Sequence, residues 1–342
     1  CAPEVLLTRA LKVDGTPTVS SRWLLRLDSL LKGLGQPDGL KPDETRVAWA
    51  DALDRPATVK AWDAPSPRPA LAARPNQFSV TEIETLIRDP YAVYAKKILR
   101  LRALDPLDAD AGALERGILL HAALEKFCRD WPDKLPTEVE KALLEAGRAA
   151  FASGPDRPGV EAFWWPRFER VAKWMSRWEP KIREGLLRTH AEIAGEMILT
   201  GLNRETKLTA KADRIDERGA SQVAIFDYKT GKPPSRKEVE AGLAPQLPLE
   251  AAIARAGGFR REDGTSLPPA HVERLSYLHL SGKDEGASEN KVSTMGDEAA
   301  VEALEGLMAL LAKFEDETTP YLSRPRVQFA RAISDYDHLA RV

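Results

Sequence analysis

Three residues of the segment 211–229, KADRIDERGASQVAIFDYK, have the types and spacing for phosphodiester chemistry: Asp213, Asp227 and Lys229. The segment reads as two short apolar strands around a turn, 208–216 and 222–228. Asp213 lies inside the first, and Asp227-Tyr228-Lys229 closes the second. Carboxylates on neighbouring antiparallel strands can approach to the separation that one divalent cation bridges, and hard oxygen donors suit Mg²⁺ or Mn²⁺. Lys229 follows two residues after Asp227 and shares its strand face. An ammonium there can hold an attacking water or stabilise charge building on a phosphate. Each residue also has a plainer reading. An aspartate at a strand end forms turns, a buried Asp213 can pair with Lys211 or Arg214, and Lys229 can be a solvated residue opening the turn at Thr230-Gly231.

Outside the hairpin, His121 lies mid-helix in ERGILLHAALEKF, beside the apolar stripe Leu120, Leu124 and Phe127. It is either a ligand or a hydrogen-bonded boundary residue. Gln246 opens QLPLE, where it caps a helix or reaches a phosphate or base edge. The aromatic run 163–168, FWWPRF, with Trp174 and Trp178, could stack on single-stranded bases. The i, i+4 spacing of Trp174 and Trp178 equally suits helix packing. His338, in DYDH, reads as part of a surface segment.

These residues need a scaffold. Helical spacing predicts helices over 21–31, 43–53, 79–88, 91–99, 113–129 and 137–150, and one over 160–187 broken or kinked at Pro166 and Pro180. Ser79 with Glu82 forms a capping-box signal, and Asp89-Pro90 a stop. The pattern then turns to period two over 192–200, 208–216 and 222–228. Helices over 235–242 and 245–256, a strand over 273–280 and a helix over 297–314 complete the chain. This order predicts an α/β or α+β domain with a central mixed sheet. Five prolines between 56 and 75 mark a linker, so 1–75 reads as a helical tail plus linker and 76–342 as the domain.

The 342 residues suffice for a sizeable core, and 43% hydrophobic with 30% charged residues is ordinary for a globular protein. No apolar run is long enough to span a bilayer, and no secretory signal opens the chain, which begins at Cys1 as a fragment or processed chain would. The only cysteines, Cys1 and Cys128, make a disulfide framework or cysteine metal cluster untenable and suit a reducing cytoplasm. A net charge of −2 neither implies nor excludes nucleic acid.

Taken together, His121 in GILLHAALEKF, Asp213 in KADRID, Asp227-Tyr228-Lys229 in DYKTGK and Gln246 in PQLPLE resemble the RecB-like nuclease branch of the PD-(D/E)XK superfamily, in the family's order. The segments 78–91 and 277–282 look like the helix that opens that domain and its later core strand. The cast is most similar to the nuclease region of AddB-type subunits, and 8–10 with 21–27 look like the end of the helicase-like portion that precedes it. The resemblance implies a restriction-endonuclease-like fold. It also implies Mg²⁺ or Mn²⁺ held by His121, Asp213, Asp227 and the Tyr228 carbonyl, Lys229 as catalytic lysine, and Gln246 near the DNA. The activity implied is exonucleolytic hydrolysis of single-stranded DNA, unwound by an AddA-type partner in double-strand-break repair.

Two departures stand out. Many AddB-type members hold an iron–sulfur cluster on four cysteines, for which this chain lacks the ligands: Asp89 stands where the first is expected, and no cysteine follows Cys128. Packing, through residues 320–342, must do that stapling. Glu250 stands where a tyrosine often completes the glutamine motif. Two other readings remain: an inactive nuclease-like module that docks DNA or a partner, and a stand-alone RecB-like nuclease.

Overall fold

The computed structural model describes residues 5–13, 15–41, 44–56, 58, 62–104, 112–153, 158–293, 296–329 and 334–342. The chain divides into two compact units, Cys1–Trp62 and Asp63–Val342. In the first, a short hairpin of β1 (Lys12–Val13) and β2 (Thr16–Pro17) precedes α1 (Arg22–Gly33) and α2 (Glu44–Leu53). Ser21 caps α1 by accepting the Leu24 N–H.

The second unit begins within the proline-rich stretch. Arg74, buried, donates to the carbonyls of Phe314, Asp316 and Glu317, capping a late helix. A short strand, β3 (Gln77–Ser79), enters α3 (Val80–Arg88). The capping box forms in both directions: Glu82 N–H donates to Ser79 Oγ at 3.2 Å, and Ser79 N–H to the Glu82 carboxylate at 3.0 Å. Asp89-Pro90 stops α3 and starts α4 (Pro90–Val93), which widens into a π-helical turn, Tyr94–Ile98. The late segment packs here: Leu322 accepts the Tyr91 N–H at 3.1 Å, and Ala340 is buried with Tyr91 and Ala95.

Three helices follow, α5 (Ala113–Asp130), α6 (Val139–Ala152) and α7 (Pro158–Ile182). Pro166 and Pro180 lie inside α7 without dividing it. Burial of Phe168, Val171, Met175 and Trp178 along one side offsets the hydrogen bonds that each ring removes. The helix stops at Ile182 rather than reaching 187, and the chain reverses at Gly185, φ 74°, into β4 (Leu186–Leu199). After it come β5 (Thr206–Arg218), β6 (Gln222–Lys229), α8 (Arg236–Glu240), α9 (Gln246–Arg255), β7 (Phe259–Arg260), β8 (His271–His279), β9 (Ser288–Ser293) and α10 (Gly296–Glu315).

Among the described residues seven strands form one mixed sheet in the order β7-β4-β5-β6-β8-β9, with β3 parallel to the first half of β5. The β6–β8 pair is also parallel, so both strands end on the same edge, at Lys229 and His279. This is the mixed α/β fold with a central sheet that the pattern predicts, of the restriction-endonuclease-like kind that the resemblance implies. Strands β3, β7 and β9 are absent from the sequence expectation: the first two are too short to show a period, and SENKVS is a polar edge.

The sheet is covered on both sides. On β6, Val223 and Ile225 join a core with α3, α9 and α10, while Ala224, Phe226 and Tyr228 join one with α5, α6 and α7. This alternation is strict along β6. It fails on β4 and β5, and the failure lies at the site.

Candidate active site

Along β5, Leu208, Ala210 and Ala212 belong to the first core, but so does Ile215, an odd step away. Along β4, Ile193 belongs to the first core, and Ala191, an even step away, packs against the second. Both strands thus change face between these residues, and the register survives because they change together. Glu192 and Asp213 face each other at that point, and Glu192 has a left-handed backbone, φ 52°. A non-glycine residue there is strained, and such strain collects at functional sites.

The reset brings both carboxylates to α5. His121 Nδ1 lies 3.5 Å from Asp213 Oδ1 and 4.0 Å from Glu192 Oε1, and His121, Glu192 and Asp213 form one candidate metal-holding group. The other ring nitrogen, Nε2, donates to the Tyr228 carbonyl at 3.0 Å. Tyr228 N–H donates to Asp213 Oδ2 at 2.7 Å, locking the end of β6 to β5. The plainer partners proposed for Asp213 are engaged elsewhere: Lys211 with Glu192 at 2.6 Å, and Arg214 within the sheet's other charged cluster.

Alternation on β6 sends Asp227 and Lys229 toward α9. Lys229 Nζ donates to Asp227 Oδ1 at 2.9 Å and to Gln246 Oε1 at 3.1 Å. Gln246 Nε2 donates to the same Asp227 oxygen at 2.6 Å and to Glu250 Oε1 at 3.2 Å. Nζ also lies 2.8 Å from Asp227 Oδ2; with one of its three N–H groups forked over the carboxylate and one on Gln246, the third remains for a water or phosphate oxygen. Every sequence-derived candidate, His121, Asp213, Asp227, Tyr228, Lys229 and Gln246, thus lies in one linked constellation. Its two halves meet at the Asp227-Tyr228 peptide.

The charges do not balance. Burial first, then the Asp213 charge, pushes the Asp227 carboxyl up to about 6, although Lys229 and His121 pull it down. Burial pulls His121 and Lys229 down, but the surrounding carboxylates outweigh it and hold both above their ordinary values. Lys229 is therefore protonated at neutral pH. Glu250, fully buried, is raised well above the carboxylate range by burial and by the Asp227 and Asp213 charges.

An excess of hard oxygen donors beside an imidazole is a donor set that fits a divalent cation. The group already brought together is His121, Glu192 and Asp213, beside the Tyr228 carbonyl; Asp227, the remaining sequence-derived ligand, lies outside it, held by Lys229 and Gln246. Sequence reasoning missed Glu192 because nothing in a period-two strand signals a face change. It treated Glu250 only as a departure from a motif, whereas the helical i, i+4 step from Gln246 was the available signal.

A second charged cluster lies on the same two strands. Arg214, Glu179 and Asp216 are fully buried. Arg214 Nε donates to Asp216 Oδ1 at 2.7 Å, and both terminal nitrogens reach Glu179. Arg183 and Thr189 complete the set at 2.7 and 2.9 Å, and the Arg214 guanidinium lies against both Trp178 and Phe226, which meet edge to face.

The aromatic run divides likewise. Trp174 stacks on Trp178, and Trp165 packs edge-on against Phe151, both as packing. His338 is exposed, away from these clusters.

Residues 77–333 match the family model of the PD-(D/E)XK nuclease superfamily. The uncharacterized protein RC0550 of Rickettsia conorii is 30% identical over 268 residues, 77% of this chain and 31% of its own length. An uncharacterized protein of Rickettsia bellii is 34% identical over 185 residues, covering 54% and 22%, and RT0391 of Rickettsia typhi is 28% identical over 290, covering 82% and 32%. The chain thus spans about a third or less of these relatives. Among solved structures, SSO0001 aligns with 78% of this chain and 83% of its own at 12% identity and a TM-score of 0.27, too distant to transfer a site. Among the described residues no helix is long and apolar enough to cross a membrane.

Proposed function

The chain belongs to the PD-(D/E)XK nuclease superfamily, and on that premise we propose that it is a metal-dependent deoxyribonuclease, hydrolysing phosphodiester bonds of single-stranded DNA. The observation that carries this reading is the convergence of His121, Glu192 and Asp213 beside the Tyr228 carbonyl, next to the Asp227–Lys229 pair that closes β6. When bound, Mg²⁺ or Mn²⁺ would supply Lewis-acid polarisation of the phosphate and a lowered pKa for the attacking water. His121, Asp213 and Glu192 would hold it, with Asp227 and the Tyr228 carbonyl at the neighbouring end of β6.

The chain's own residues divide the remaining work. Lys229 directs its remaining N–H at the attacking water or a non-bridging phosphate oxygen, where charge grows as the bond to phosphorus forms. Gln246 holds both partners of the Asp227–Lys229 pair, so neither swings away as substrate enters. Glu250 accepts from the Gln246 amide and fixes which end of it faces Asp227.

The wider setting in this proposal is an AddB-type helicase–nuclease subunit. An AddA-type motor subunit would deliver the unwound strand during double-strand-break repair in the cytoplasm. The AddB-like motif order supports it, as does the small share of its relatives' length that the chain spans. The test is cleavage of single-stranded DNA with Mg²⁺ or Mn²⁺ by the full chain and by its complex with such a subunit, using Asp227→Ala and Lys229→Ala as controls. Metal-dependent cleavage reduced at least about 10²-fold in both variants is expected. Equal cleavage by parent and variants overturns the site, and an inactive parent that binds no Mn²⁺ supports a docking module instead.

A further inference from the structure

Resting on the nuclease reading, we infer that Arg116, Arg167 and Trp164 form a strand-holding subsite beside the catalytic centre, the two guanidiniums taking a backbone phosphate and the indole a neighbouring base of single-stranded DNA. The three side chains line one concavity, closed by Leu280, Ser281 and Gly282 just beyond β8. That edge is the catalytic one. The Leu280 N–H donates to the carbonyl of Lys229 at 2.7 Å, and a side chain added at Gly117 would meet Thr230 Oγ1 at 3.5 Å. Arg116 precedes His121 by five residues on α5, about 7.5 Å along the helix axis.

The concavity is held in shape. Gly282, φ 64°, passes so close to α7 that a Cβ there would lie 2.6 Å from Arg167 Cβ. Arg170 Nε donates to the Gly282 carbonyl at 2.7 Å, and Gly286, φ 80°, leaves no room for a Cβ against the Arg170 carbonyl. Any side chain at either glycine would lift the loop from the helix, so the backbone fixes where Arg167 stands relative to the ends of β6 and β8.

Two arginines held at one concavity leave positive charge open to an anion from solution. Among the described residues neither guanidinium has a carboxylate or carbonyl partner, and burial together with the Arg167 charge lowers Arg116 below its ordinary value. Arg183 and Arg214, by contrast, share Glu179. A guanidinium pair matches phosphate oxygens in a fork, and an aromatic face beside it stacks on a base of any sequence. The neighbouring Trp165 is already covered by Arg148, Phe151 and Phe168, whereas Trp164 lines the opening.

The test is fluorescence anisotropy of a labelled single-stranded oligonucleotide titrated with the full chain in EDTA across a salt series, so that binding is read without metal or cleavage. Arg116→Gln with Arg167→Gln should weaken binding at least tenfold and lower the slope of log K against log salt by about 0.7 for each phosphate no longer neutralised. Lysines at both positions should restore the slope more than the affinity. Trp164→Ala should weaken binding roughly 5- to 150-fold with the slope unchanged. Unchanged affinity and slope in the double variant, absence of binding by the parent, or equal arginine-dependent binding of a poly-glutamate peptide would each overturn the inference. Arginine-dependent binding by a parent that cleaves nothing with Mn²⁺ would keep the subsite and sink the nuclease reading. Cleavage with arginine-independent binding would do the reverse.

Discussion

Strands β4 and β5 carry two charged clusters a few residues apart, and they are built on opposite plans. Around Arg214, two guanidiniums face two carboxylates, and each charge meets an opposite one at hydrogen-bond distance. Around Asp213, four carboxylates (Asp213, Asp227, Glu192 and Glu250) share Lys229, Lys211 and His121, and the surplus shows in the raised Asp227 and Glu250. Burial alone does not separate them, since Asp216 and Asp227 are about equally hidden. Compensation does. A saturated buried network holds the sheet to α7, whereas the unsaturated one has the surplus that the proposed cation would neutralise.

The comparison breaks most directly at Arg214. Arg214→Met leaves Asp216 buried without its cation and Glu179 with Arg183 alone, and urea denaturation should show a loss of about 3–5 kcal/mol. Asp227→Ala should cost little stability or add some. Should both lose equally, the distinction between the clusters fails.

Activity should respond in the opposite sense. Lys229→Ala should lower metal-dependent cleavage by about 10²–10³-fold with the unfolding midpoint nearly unchanged, because the ammonium acts on developing charge. A variant that loses activity only in proportion to folded protein would place Lys229 in the structural class.

The two clusters should also part in their response to pH. The Asp227 carboxyl is raised from 3.8 to about 6, so its stabilising contribution is complete below 3.8 and is lost as pH rises through 6. Glu179 lies below its ordinary 4.5 because Arg214 and Arg183 outweigh the effect of burial; its contribution is present above 4.5 and lost as pH falls through its lowered value. Thermal melts without metal should therefore lose stability on each side of a maximum. Asp227→Asn should flatten the side that falls between about pH 4 and 6, and leave the acid side unchanged. A profile unaltered by Asp227→Asn would remove the evidence for surplus charge.

The smallest effect is expected at Glu250. Glu250→Gln keeps an acceptor for the Gln246 amide and removes one ionisable group, so stability should change by less than about 1 kcal/mol and cleavage by tenfold or less. A larger loss would give the carboxyl a direct part in the chemistry.

How far the sequence foretold this site follows from which residues depend on local pattern. Asp213, Asp227 and Lys229 were legible because two short alternating strands around a turn leave few ways to place them. His121 and Gln246 were legible as types on helices, and the family's order of motifs brought them together. Glu192 was not legible: its role arises from a change of face shared by two strands, and alternation read along one strand assigns it to the wrong side. The saturated cluster was hidden for a similar reason. Arg214 next to Asp213 looked like its partner, but the same face change turns Arg214 to α7, where Glu179 waits 35 residues away in sequence. Long-range compensation of charge is a property of the fold.

The central claim is that the surplus charge is a seat for one cation. It is tested most directly by anomalous diffraction from crystals soaked in Mn²⁺. The account predicts one strong peak within coordination distance of His121 Nε2, the Tyr228 carbonyl, Asp213 and Asp227, with the His121–Tyr228 hydrogen bond opened around it. A full-occupancy soak with no peak there, or a peak placed elsewhere while these four groups keep their present contacts, would contradict it.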